Sequence, residues 1–367
     1  GPDGSLFDGP FDPSADASGD HTYTITGTAC ASSSAVVSVN VLPGPDAGGD
    51  NTIVVCNTQV AFTLISQLLG TPDPGGSWTN AAGDPVGASF NPLTGGSDVF
   101  TYSVSGSANC PDDEATVTIT VNIAPHAGIN GNLMLCASSP PISLFDGLGG
   151  TLDAGGVWTD AAGNSHATIL NPATDVSGPY TYTVTGAAPC ANASAVVTVV
   201  INPVPYAGED GGLVLCTTSP NVSLISAIGG TPQMGGSWTG PDGVPSSGSF
   251  VPSTGTPGVY TYTIIGINPC VNDTSEVTIM VSIAADAGVG GSVSLCDGDP
   301  AIDLFAQLGG SPDATGVWTD PSGIVTTAQF DPLIDTPGTY TYTVTAIAPC
   351  PTETATIDVG VIAPVVT

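Results

Sequence analysis

The chain of 367 residues has no lysine, no arginine and only three histidines, set against 32 Asp plus Glu, so its formal charge at pH 7 is −32. Each absence removes a class of function. Without cationic side chains nothing neutralises phosphates, which excludes a nucleic-acid-binding role. An anionic membrane surface repels such a chain for the same reason. Chemistry that runs through Lys or Arg is also gone: the P-loop lysine, the Schiff base, the Arg clamp on a phosphoryl group. Isopeptide cross-links fall with them, since they need lysine. Long apolar runs are missing too. Segments such as Ala195–Val197 and Val199–Ile201 are far short of the roughly 18 residues of a membrane helix.

The residues that are present describe a folded chain. Only 9% are charged, 41% are hydrophobic and the mean hydropathy is +0.29, a balance unlike that of acidic disordered segments. Gly 49 and Pro 33 supply abundant turn formers, and the length suits several domains.

Cysteine sets the organisation. Cys30, Cys56, Cys110, Cys136, Cys190, Cys216, Cys270, Cys296 and Cys350 alternate spacings of 26 and 54. Trp78, Trp158, Trp238 and Trp318 return with the combined period of 80. An internal repeat takes precedence over any local reading. We expect four full units, 46–125, 126–205, 206–285 and 286–367, preceded at 1–45 by the C-terminal half of a truncated repeat. On this expectation the chain is a window from a longer array.

Every unit reads alike. An Ala-Gly opening leads into a short apolar run ending in Cys. A second run follows (Val60–Ile65, Ile142–Phe145), then a Gly-rich turn and a short strand bearing the Trp. A Phe or Leu precedes an x-Pro turn at Phe90, Leu170, Phe250 and Phe330. The clearest strand, Tyr340–Thr345, alternates Tyr or Val with Thr, the period of two of a half-buried strand. A turn with the second Cys leads to a final β-branched strand such as Ala115–Ile123. Six or seven short strands in each unit predict an all-β chain, a tandem array of antiparallel β-sandwiches. One helical turn is the exception, at Leu64–Leu69. The recurring Trp is expected as the core plug between sheets. Short Pro-containing segments between units, Asn122–Ala127 and Asn202–Ala207, are expected to be semi-rigid spacers that extend the array into a rod.

Two Cys per unit in small domains point to an oxidising compartment and structural disulfides. Pairing over the longer spacing (Cys56–Cys110, Cys136–Cys190, Cys216–Cys270, Cys296–Cys350) keeps each bridge inside one unit and leaves Cys30 unpaired. Pairing over the shorter spacing, beginning Cys30–Cys56, staples neighbouring units and leaves Cys350 over. We favour the first, because both cysteines then share a compact unit; such a loop stabilises each domain by about 4 kcal/mol in the chain-entropy model. The second would load the bridges directly under tension. Zinc is disfavoured by the lack of any C-x-x-C and by the scatter of the histidines.

His21, His126 and His166 fall at different places in the repeat and read as scattered surface residues rather than as a catalytic or metal site; no enzyme is expected. Calcium is the one cofactor to weigh, given the carboxylates, yet no Ca²⁺-loop motif occurs. Asp73, Asp153 and Asp313 share a column that Gln233 breaks, and Asp50 and Asp210 face Asn130 and Gly290. These acids read as solvated loop residues, and no cofactor is expected. Asn192, Asn221 and Asn272 match the N-glycosylation pattern.

The motifs Leu304–Gly310, Gly316–Thr319, Phe330–Pro332, Pro337–Thr345 and Ala348–Cys350 resemble the tandem repeats of giant surface proteins of Bacteroidota, including gliding-motility adhesins exported by type IX secretion. The resemblance implies Ig-like or PKD-like sandwiches and an extracellular, non-enzymatic stalk or filament. Its partners are then neighbouring repeats of the same chain and like filaments. A glycan- or calcium-binding array, or an accessory region of a secreted enzyme, is the alternative.

Overall fold

The computed structural model describes residues 1–107 and 109–363; the last four residues of the fourth repeat lie outside the described residues. The chain divides into two compact units. One comprises 1–131, 144–168 and 179–198; the other comprises 132–143, 169–178 and 199–367. The division runs through the second repeat.

In the first unit, residues 1–45 form a two-stranded antiparallel sheet of β1 (Gly19–Ile25) and β2 (Ser33–Val39). Its apolar side chains stand open: Tyr23 is 70% and Val37 63% exposed. The first full repeat follows with seven strands: β3 (Asn51–Cys56), β4 (Phe62–Thr63), β5 (Ser77–Thr79), β6 (Pro85–Val86), β7 (Ser89–Phe90), β8 (Asp98–Val104) and β9 (Asp113–Asn122). Five of them form one sheet in the order β3-β9-β8-β5-β6, and β4 pairs with β7 across the core. One pairing is parallel: β3 runs alongside β9, from Asn51 opposite Val117 to Cys56 opposite Asn122. This is an Ig-like sandwich. The helical turn expected at Leu64–Leu69 is a single 3₁₀ turn, Leu64–Gln67, with Leu64 buried.

The period of two does its work in β8 and β9. Phe100 and Tyr102 face inward from one, Ala115, Val117 and Ile119 from the other, and the intervening Thr residues are half-buried. They close on Trp78, Leu64 and Phe90 in one core cluster. Trp78 is 4% exposed, and its ring centroid lies 4.8 Å from that of Tyr102. This aromatic pair is worth about 1 kcal/mol beyond its burial.

In the second unit the third and fourth repeats keep the same five-strand order. Gly211–Cys216 runs parallel to Val277–Ser282, and Gly291–Cys296 runs parallel to Ile357–Ile362. Trp238 and Trp318 are buried in the matching clusters. The second repeat contributes to both units with the same local pairing. Trp158 lies opposite Tyr182 in the first unit and Ile142 opposite Leu170 in the second.

Candidate functional site: the repeat junctions and their bridges

The cysteines follow neither sequence pairing. The bridges are Cys56–Cys190, Cys136–Cys270 and Cys216–Cys350, each with a sequence separation of 134. Their Cα–Cα distances of 5.0, 4.9 and 4.9 Å sit inside the range a disulfide requires. The expected Cys56–Cys110, Cys136–Cys190, Cys216–Cys270 and Cys296–Cys350 bridges are therefore corrected. Cys110 and Cys296, expected as bridged, are free thiols, as is Cys30.

Topology explains the correction. Cys56 ends β3, opposite Asn122, the last residue of β9. Cys110 lies in the turn that precedes Asp113, the first residue of β9. The two cysteines of one repeat thus sit at opposite ends of a ten-residue strand, about 30 Å apart. No disulfide spans more than about 7 Å between Cα atoms. The first cysteine of a repeat instead meets the second cysteine of the next repeat. Six bridged sulfurs follow this rule, and all six residues are buried, between 2% and 8% exposed. The same step taken backward from Cys30 or Cys110, or forward from Cys296, leads outside residues 1–367.

Polar side chains set the same junctions. In the first unit Asn122 donates from Nδ2 to the carbonyl of Ala188 at 2.7 Å, just before the bridged Cys190. In the second unit Asn202 donates to Asn268 O at 2.8 Å and Ser282 to Ala348 O at 3.4 Å. The residue after the first cysteine pins the linker: Asn57 donates its N–H to Asn122 O at 2.9 Å and accepts from Ala124 N–H at 2.9 Å. Thr217 repeats both bonds with Ser282 and Ala284.

The acid columns turn out to be backbone clamps. Asp73 accepts the N–H of Asp46 at 3.0 Å, Asp153 that of His126 at 2.8 Å and Asp313 that of Asp286 at 3.0 Å. Gln233, which breaks the column in sequence, accepts the N–H of Tyr206 at 3.2 Å. An amide oxygen serves as well as a carboxylate there. Asp50, Asn130 and Asp210 likewise accept from Thr116, Val196 and Glu276 N–H at 2.7 to 2.8 Å. At Gly290 a Cβ would lie 2.5 Å from Thr356 O, so the backbone itself occupies that space. Among the described residues no group of three or more His, Cys, Asp or Glu is placed to hold a metal ion. Asp160 and Asp320 cap the turn after the Trp strand. Each carboxyl is held below the ordinary Asp range, Asp160 first by the Asn164 N–H and Asp320 first by the Ser322 hydroxyl.

The histidines stay apart. The His21 ring lies 4.9 Å from Phe7 and 5.3 Å from Phe11. His166 packs on Tyr180 at 4.9 Å, and His126 contributes its backbone to the Asp153 clamp. No sequence signal marks the bridges, because they follow from the parallel neighbour of the first strand. That neighbour is invisible in a period-two pattern.

No family model matches the chain, and no curated protein matches it. Among solved structures it is similar to tandem immunoglobulin arrays. The titin I-band fragment I67–I69 has 11% identity, covers 65% of this chain and 99% of its own, and gives a TM-score of 0.39. Immunoglobulin domains 1–5 of Sidekick-1 have 11% identity, cover 95% and 86%, and give 0.30. The N-terminal four Ig domains of Dscam1 isoform 6.9 have 12% identity, cover 87% and 98%, and give 0.26. At these identities and scores the role of the chain follows from its own residues.

Proposed function

We propose that the chain is the non-enzymatic structural repeat region of an extracellular bacterial surface adhesin or filament, a disulfide-stabilised stalk whose repeated units are Ig-like domains in series. The observation that carries this reading is the bridge between successive repeats, formed three times with one spacing. Disulfides of this kind persist in oxidising compartments. Joining neighbours, rather than the two ends of one sandwich, serves the continuity of an array. The buried tryptophans and the clamped acids are spent on the fold. The resemblance of the repeat motifs to Bacteroidota surface repeats extends the proposal to export by type IX secretion. High negative charge of one sign keeps like filaments apart at low salt, an effect that screening over about 10 Å at 0.1 M weakens.

The test is immunogold electron microscopy of the producing cells with antibody against residues 46–205. Surface filaments that vanish on deletion of the gene support the stalk. Labelling confined to the cell interior contradicts it.

A further inference from the structure

The covalent graph of the bridges contains more than reinforcement. From Cys56 the first bridge leads to Cys190. The backbone then runs through the strand Ala193–Asn202, the linker and the strand Gly211–Cys216, and the third bridge leads on to Cys350. A second route starts at Cys110 and follows β9, the linker and Gly131–Cys136. It crosses to Cys270, then follows Asp273–Ser282, the linker and Gly291–Cys296. Each route uses only the shorter of the two segments between cysteines. The longer segments, which carry the Trp strand and most of each core, lie on neither.

We propose that these routes are two interleaved covalent cables that carry tension past the bulk of every repeat. The cables take turns. In the first repeat β3, which leads into the first route at Cys56, lies beside β9 of the second; in the third repeat Gly211–Cys216 of the first lies beside Asp273–Ser282 of the second, and in the fourth Gly291–Cys296 of the second lies beside Glu353–Ile362, which leaves the first route at Cys350. In all three the two cables lie side by side as a parallel hydrogen-bonded pair with six matched positions. Load passing from one cable to the other meets these bonds in shear. The segments on each cable are mostly strand and short linker.

The consequence is a stalk that cannot lengthen by unfolding. From Cys56 to Cys350 the covalent path is the single segment Cys190–Cys216 and two bridges, against the whole of the intervening backbone. At about 3.5 Å per extended residue that is roughly 100 Å against roughly 1,000 Å. The inference deepens the stalk reading, yet its mechanics depend only on the three bridges. A failure in force measurements on the purified chain is therefore distinct from a failure to find the protein at the cell surface.

The experiment is single-molecule stretching of the whole oxidised chain, held at its two ends, with and without reductant. The expected final contour length is roughly 350 Å oxidised and roughly 1,300 Å reduced. Two variants make the reading specific, each first checked for strand content by circular dichroism. Cys136→Ser opens only the cable that the shortest end-to-end path does not use, and leaves the oxidised length unchanged. Cys56→Ser forces the path through the second cable and roughly doubles it. Extension of the oxidised chain in steps of one whole repeat, or equal lengthening by the two variants, would overturn the proposal.

Discussion

Gly76 donates its N–H to the phenolic oxygen of Tyr102 at 2.9 Å, and that hydroxyl donates in turn to the carbonyl of Asp73 at 2.7 Å. The same pair recurs as Gly156 with Tyr182, Gly236 with Tyr262 and Gly316 with Tyr342. A Cβ on Gly76 would lie 2.6 Å from both the Tyr102 ring and Ser103 O, so the Gly of the Gly-x-Trp-Thr motif is required by close approach. Gly76→Ala is expected to destabilise the first repeat by about 1–3 kcal/mol through overpacking. Tyr102→Phe, which strands the Gly76 N–H, costs about 1–2 kcal/mol. Hydrogen exchange at the amides of β8 and β9 reads both, and wild-type protection in Gly76→Ala would contradict the close approach.

The Asp73 clamp predicts an exchangeable acceptor. Asp73→Gln, which copies Gln233, is expected to leave the thermal midpoint nearly unchanged. Asp73→Ala, which passes the exposed Asp46 N–H to water, lowers stability by about 0.5 kcal/mol. Added calcium is expected to shift neither variant nor wild type in differential scanning calorimetry. A calcium-dependent rise in the wild type that Asp73→Ala abolishes would show that the column binds the ion.

Much of this architecture is legible in the residues. Tyr340–Thr345 announces a half-buried strand by alternation, and the periodic return of Trp and Cys announces the array. The bridges are not legible. Their partners depend on β3 lying parallel to β9, which separates Cys56 from Cys110 by the length of a strand, and that is a tertiary relationship between segments far apart in sequence. The acid columns hide for another reason. Asp73 and Gln233, or Asp50 and Asn130, give the backbone the same acceptor oxygen, so a structural column looks degenerate when read as charge.

Acid should act through the turn carboxylates. Asp160 and Asp320 have lowered folded-state pKa values because the charged form is hydrogen-bonded. Their stabilisation is present above about pH 4 and lost as pH falls through the lowered values. With no Lys or Arg, protonation also removes nearly all net charge, leaving three His and the amino terminus. Melting followed with light scattering from pH 7 to 2 is expected to show falling midpoints below pH 4 and association as the remaining carboxylates discharge and the net charge approaches zero. A midpoint that climbs steadily down to pH 2 would contradict the carboxylate assignment.

Overlap of the bridges predicts tolerance to cleavage. Every peptide bond between Cys56 and Cys350 is spanned by at least one bridge. A single specific protease site inserted in the linker after Pro203, once cut, is expected to leave one species on a non-reducing gel and two fragments after reduction. Release of a fragment without reductant would rule out the overlap.

Each of these mechanical consequences depends on which cysteines are joined, and mass spectrometry of non-reduced peptides measures that directly. Trypsin has no site in this chain, so cleavage at Asp and Glu or at aromatic residues is used. The structure predicts linked peptides containing Cys56 with Cys190, Cys136 with Cys270 and Cys216 with Cys350. Peptides joining Cys56 with Cys110, or Cys110 with Cys136, would contradict it.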